Sequence, residues 1–149
     1  MKQALLSKVL IIVLLVMVMI LPGCSYKLRM LQYYSENSNY EELVGIILNF
    51  EEIRGVDDLF IEIEFENENI HDHYLYHPLM VIRKNKEILE KNGFFENVSI
   101  GEKINIVTAS GYFYDGYRIP IVAIESDNVV YLDFQTGREN LLKWVEETE

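Results

Sequence analysis

Seven residues, Leu59 to Phe65 (LFIEIEF), constrain the fold more than any other stretch of this 149-residue chain. Ile61, Ile63 and Phe65 alternate with Glu62, Glu64 and Glu66, the period of two that sends successive side chains to opposite faces of a sheet. Such a strand is stable with its apolar face in a core and its acidic face in water. Solvation therefore accounts for the glutamates before any cation-binding role does. Lys103 to Ser110, Ile119 to Glu125 and Val129 to Phe134 are also rich in branched residues and bounded by turn formers, and Leu79 to Ile82 is a short apolar run after Pro78. Ser126-Asp127-Asn128 reads as a hairpin break between the last two long runs. The chain is predicted to be mainly β.

Two helices stand out. Asn85 to Asn92 is followed by Gly93 and Phe94, a left-handed stop with an apolar residue to pack back on the last turn. At the C-terminus Thr136-Gly137-Arg138-Glu139 has capping-box spacing and leads into Leu141, Leu142, Trp144 and Val145, which dock the helix on the domain. Tyr40 to Arg54 is ambiguous. Leu43, Ile46, Ile47, Phe50 and Ile53 fit a helical stripe, but the branched residues and the interior Gly45 favour a long bent strand, with the glycine at the bend. The order is then three strands, a helix, two strands, a short strand and a helix. A small barrel with its one helix between strands three and four resembles the OB-fold, here over roughly Tyr40 to Phe134. The expected fold is an OB-fold-like barrel with a C-terminal helix.

The N-terminus is a separate part. Lys2 and Lys8 precede an unbroken apolar run, Val9 to Leu21, too short for the roughly 20 residues of a permanent span and the right size for a secretory signal. Leu21-Pro22-Gly23-Cys24 resembles the lipobox of bacterial lipoproteins, with Pro22 a departure from the usual residue at its place. The resemblance implies that Cys24 is acylated with diacylglycerol and becomes the first residue of the mature chain. Residues 1–23 are then a signal peptide, 24–39 a lipidated tether and 40–149 the domain. Two acyl chains hold a protein stably where one does not. The expected location is the cell membrane, lipid-anchored on its extracytoplasmic face. Tyr33 and Tyr34, in the tether, fit either the interface or the domain surface. Ile88 to Phe94, Gly101-Glu102-Lys103 and Tyr114-Asp115-Gly116-Tyr117 are also similar to small lipoproteins of low-GC Gram-positive bacteria, a resemblance that implies no activity.

Composition narrows function by exclusion. The whole chain has a formal net charge of -11; without Lys2 and Lys8, eleven basic residues face 24 acidic ones, a net charge of -13. That balance disfavours nucleic acid, the common OB ligand, because phosphates are repelled. Cys24 is the only cysteine, so there is no disulfide framework and no CxxC pair. No nucleophile elbow, P-loop, GxGxxG or HExxH pattern is present, so no enzyme, cofactor or catalytic residue is expected.

Two clusters remain. All three histidines lie in one window, Ile70 to Pro78; in an extended segment His71 and His73 project to one side about 7 Å apart, close enough to share Zn²⁺ or Cu²⁺. The same window reads equally as a polar loop. Tyr112, Phe113, Tyr114 and Tyr117 crowd the connection between two strands, which in an OB-fold borders the ligand face. They form either a binding surface or a cover for the barrel end. The leading expectation is a non-enzymatic binding module of the cell envelope, with a protein, peptide or glycan partner. The alternatives are a metal-binding surface protein using His71 and His73 and an envelope hydrolase.

Overall fold

Gly45 lets one strand serve two neighbours. In the computed structural model, which describes residues 26–52, 57–66, 74, 78–109 and 118–148, the ambiguous segment is strand β1, Tyr40–Glu52. Its first half pairs antiparallel with β4, Lys103–Ala109, and its second half with β2, Leu59–Phe65. Gly45 and Ile46 pair on both sides at once, Gly45 opposite Phe65 and opposite Ile104. A Cβ on Gly45 would lie 2.4 Å from Ile63 Cγ2 and 2.6 Å from the Glu64 carbonyl oxygen, so the bend requires glycine. A bulge between Ile47 and Asn49 sharpens the strand's coil and pushes Leu48 outward, 44% exposed.

The sheet closes through β3, Leu79–Val81, which pairs antiparallel with β2 and parallel with β5, Ile119–Ser126. Because β5 also pairs with β4, the ring runs β1-β2-β3-β5-β4 and back to β1, and β6, Val129–Leu132, lies outside it on β5. Closure removes the free edges that an open sheet of five strands would expose. The expected mainly β, OB-fold-like barrel is the observed fold. The register between β4 and β5 shifts at Val122, between the Val107–Ala123 and Thr108–Ile121 pairs, and the buried Thr108 hydroxyl donates to the Pro120 carbonyl oxygen at 2.9 Å. Asp127 and Asn128, both at positive φ, form the tight turn between β5 and β6.

The barrel interior holds Leu43, Ile47, Leu59, Ile61, Ile104, Ile106, Ile119, Ile121 and Ile124. It extends to Leu89 of helix α2, Arg83–Lys91, to Phe94 of the short helix α3, Phe94–Asn97, and to Tyr131 and Leu132 of β6. Gly93 between the helices has φ +74, the left-handed stop expected there. The α2 N-terminus receives its cap from the residue that precedes β2, because Asp58 Oδ1 accepts from the Arg83 N–H at 3.0 Å.

A second apolar layer covers the outside of the barrel. Phe60, Met80, Ile82, Ala109 and Val122 face Tyr34, Leu141 and Val145. The last two belong to helix α4, Phe134–Glu147, which begins one turn before the expected capping box. Its cap is Asp133, whose carboxylate accepts from the Thr136 N–H at 2.9 Å and is held below the usual carboxylate range by that bond. The cap also ends the preceding strand at Leu132, short of the expected Phe134. Tyr34 lies in helix α1, residues 26–35, and is 2% exposed. The packed domain thus begins inside the stretch read as a tether, and of the two places open to Tyr34 the structure gives the domain.

Asn85 ties the helices together. It is fully buried, donates to the Gly137 carbonyl oxygen at 3.1 Å and accepts from Asn140 Nδ2 at 2.9 Å, so both ends of its amide are satisfied.

Candidate functional site

Leu59-Phe60-Ile61 breaks the alternation of β2. All three are buried, Leu59 and Ile61 in the barrel and Phe60 on its outer side. Three consecutive apolar residues are the mark of a strand covered on both faces. Arg118 provides part of the cover: its guanidinium lies over the Phe60 ring, 5.3 Å from the centroid, a cation–π contact that orients a charge above an otherwise apolar surface. The same guanidinium stands 3.8 Å from Asp58 Oδ2, the second oxygen of the carboxylate that caps α2.

Beside this stack runs a groove of about 320 Å³. Leu48, Asn49 and Glu51 of β1 line it together with Phe60, Glu62 and Ile63 of β2, and Tyr74, Pro78 and Leu79 bound it. The β1 bulge is what turns Leu48 toward the surface. The groove combines an exposed aliphatic side chain, the carboxylates of Glu51 and Glu62, and an amide. Such a lining suits a ligand with an apolar part and hydrogen-bond donors or positive charge, held in a shallow site.

Tyr74 fixes one wall. It is 5% exposed, and its hydroxyl donates to Glu41 Oε1 with the Ala109 carbonyl oxygen sharing the proton at 3.1 Å. Burial, reinforced by the Glu41 carboxylate, pushes its phenol far above the usual value. Nearby, the Ile119 N–H donates to the Pro78 carbonyl oxygen at 3.1 Å. These two links join the flanks of the two clusters singled out in the sequence. Tyr74 and Pro78 lie in the histidine window, while Ala109 and Arg118 frame the aromatic connection. Both segments are therefore rooted at the end of the barrel where the groove lies.

His71, His73, Tyr112, Phe113, Tyr114, Tyr117 and Cys24 themselves lie outside the described residues. Among the described residues no group of three His, Cys, Asp or Glu side chains is arranged to hold a metal ion. None of their helices is long and apolar enough to cross a membrane. No sequence motif marks Phe60, Arg118, Leu48 or Asp58. The signal for Phe60 was the apolar triplet; Arg118 pairs with distant residues and leaves no local pattern. Comparison with protein-family models, with curated proteins and with solved structures found no match for this chain.

Proposed function

We propose that this chain is a lipoprotein of the bacterial envelope, anchored by diacylglyceryl Cys24 on the extracytoplasmic face of the cell membrane. Its OB-fold-like barrel binds a protein, peptide or glycan without chemical conversion. The observation that carries the binding role is the convergence of the groove, the Arg118–Phe60 stack and the roots of both the histidine and the aromatic segments on one end of the barrel. A shallow groove with carboxylates beside an aliphatic side chain serves recognition by contact area and charge.

The anchoring role is supported by the charged start, the apolar run from Val9 to Leu21 and the position of Cys24. A radiolabelled or alkyne-bearing fatty acid fed to cells producing the full chain labels the wild type and leaves Cys24→Ala unlabelled. Equal labelling of the two chains would refute the anchor.

A further inference from the structure

The first helix leaves almost no tether. α1 is fastened along α4 at both ends. Arg138, near the start of α4, donates to the carbonyl oxygens of Tyr34 and Ser35 and to Asn37 Oδ1, closing the C-terminal end of α1 with a cation. At the opposite end Lys27 Nζ donates to the Thr148 carbonyl oxygen at 2.9 Å, just past the end of α4. Between Cys24 and Tyr26, the first residue described as helical, stands Ser25 alone. Two residue steps of fully extended chain cover about 7 Å, no more than the ~8 Å Debye length of a physiological medium. A domain anchored at Cys24 is therefore held against the headgroups in spite of its net negative charge.

The pole of the domain nearest Cys24 has a distinct surface. Leu28 is 63% exposed, a large apolar side chain that the fold does not use, and it stands between Lys27 and Arg29. The start of α2 meets the end of α4 at the same pole, where Lys84 Nζ pairs with Glu147 at 3.1 Å. Trp144 shares a cavity of about 310 Å³ there with Ile82, Arg83, Lys84, Glu87 and Glu147. Arg83 and Lys84 are neutralised there by Asp57, Glu87 and Glu147, and the exposed leucine, the tryptophan and the cations Lys27 and Arg29 are the side chains favoured where a protein surface meets an anionic bilayer.

We propose that this pole, with Lys27, Leu28, Arg29 and Trp144, docks on the surface of the anionic bilayer and fixes the orientation of the barrel. The proposal rests on membrane anchoring at Cys24 and adds that the domain lies against the lipid.

Trp144 is the only tryptophan, so its fluorescence reports on this pole alone. The full lipidated chain is reconstituted in phosphatidylglycerol-containing vesicles, and anchoring is read separately, by flotation of the protein with the vesicles. Lipid brominated near the top of its acyl chain is expected to quench Trp144 at least twofold, and access of acrylamide to fall at least twofold relative to the mature chain made without residues 1–23 and with Cys24→Ala, free in solution. Leu28→Glu, a change at an exposed position, is expected to float as the wild type does while losing most of the bromolipid quenching. A wild-type chain that floats with Trp144 open to acrylamide and untouched by bromolipid overturns the docking and leaves the anchor standing. Undiminished quenching in Leu28→Glu overturns the assignment of this pole. A chain that does not float removes both the anchor and the docking.

Discussion

Replacing Gly137 with alanine is expected to destabilise the domain by about 3 kcal/mol, at the upper end of what an inserted methyl group costs in a packed interior. Helix propensity alone predicts the opposite sign, since alanine is favoured over glycine within a helix by about 1 kcal/mol. The contact geometry decides between them. A Cβ on Gly137 would lie 1.9 Å from the carbonyl oxygen of Val122 and 2.7 Å from its carbonyl carbon, both backbone atoms of β5. A strand paired with β3, β4 and β6 has little freedom to retreat, so the first turn of α4 must lift away. Lifting it strains the Asn85 bond to the Gly137 carbonyl oxygen and the packing of Leu141 and Val145 on the outer layer. Urea denaturation followed by circular dichroism measures the change. An unchanged or higher midpoint in Gly137→Ala would mean that α4 does not sit on β5 as described.

Phe94→Ala is expected to cost about 4 kcal/mol, within the range for removing a fully buried aromatic side chain. Phe94 has no exposed surface and meets three rings edge-on, Phe50, Phe95 and Tyr131, at centroid separations of 6.0, 5.2 and 5.3 Å. It brings the α2–α3 corner and β6 onto the barrel core, so truncation opens a void shared by elements that α2 and α3 cannot close by a small shift. Set against a typical total stability of about 5 to 15 kcal/mol, the loss leaves a marginal domain. Phe94→Leu, which keeps most of the volume, is expected to lose less than half as much. Denaturation curves that coincide for wild type and Phe94→Ala would show that this side chain is not in the core.

The barrel was legible because its strands carry strong local signals. LFIEIEF announced β2 with its observed bounds, and the branched residues around Gly45 correctly outweighed the helical stripe of Tyr40 to Arg54. The glycine decided that segment for a physical reason that one strand cannot display: β1 bends because it pairs with two neighbours, and the close approach of Ile63 and Glu64 leaves no room for a side chain.

Local and tertiary signals compete at two places. Thr136 to Glu139 matches a capping box, yet the operative cap is Asp133, three residues earlier, whose carboxylate reaches the Thr136 N–H. Ser25 to Asn39 ends in a polar cluster that suggests a linker, while Met30, Leu31, Tyr33 and Tyr34 pack with the outer layer. That helix is held largely by Arg138, over a hundred residues away, and nothing in its own sequence names the partner. The groove was not legible for the same reason. Phe60, Arg118, Asp58 and Leu48 come together through strand register and a bulge, and only the excess apolar residue at the start of β2 hinted at a second covered face.

The proposed recognition face of this domain is the β1–β2 groove. It is tested most directly by photo-cross-linking from the full lipidated chain in its native envelope, with the reactive amino acid placed at Leu48, on the groove wall and 44% exposed, or at Val130, 54% exposed on β6 outside the barrel. The predicted result is a discrete cross-linked product from position 48, absent from position 130 and lost when Arg118→Ala uncovers Phe60. Products of equal yield from both positions, or none from position 48, would contradict it.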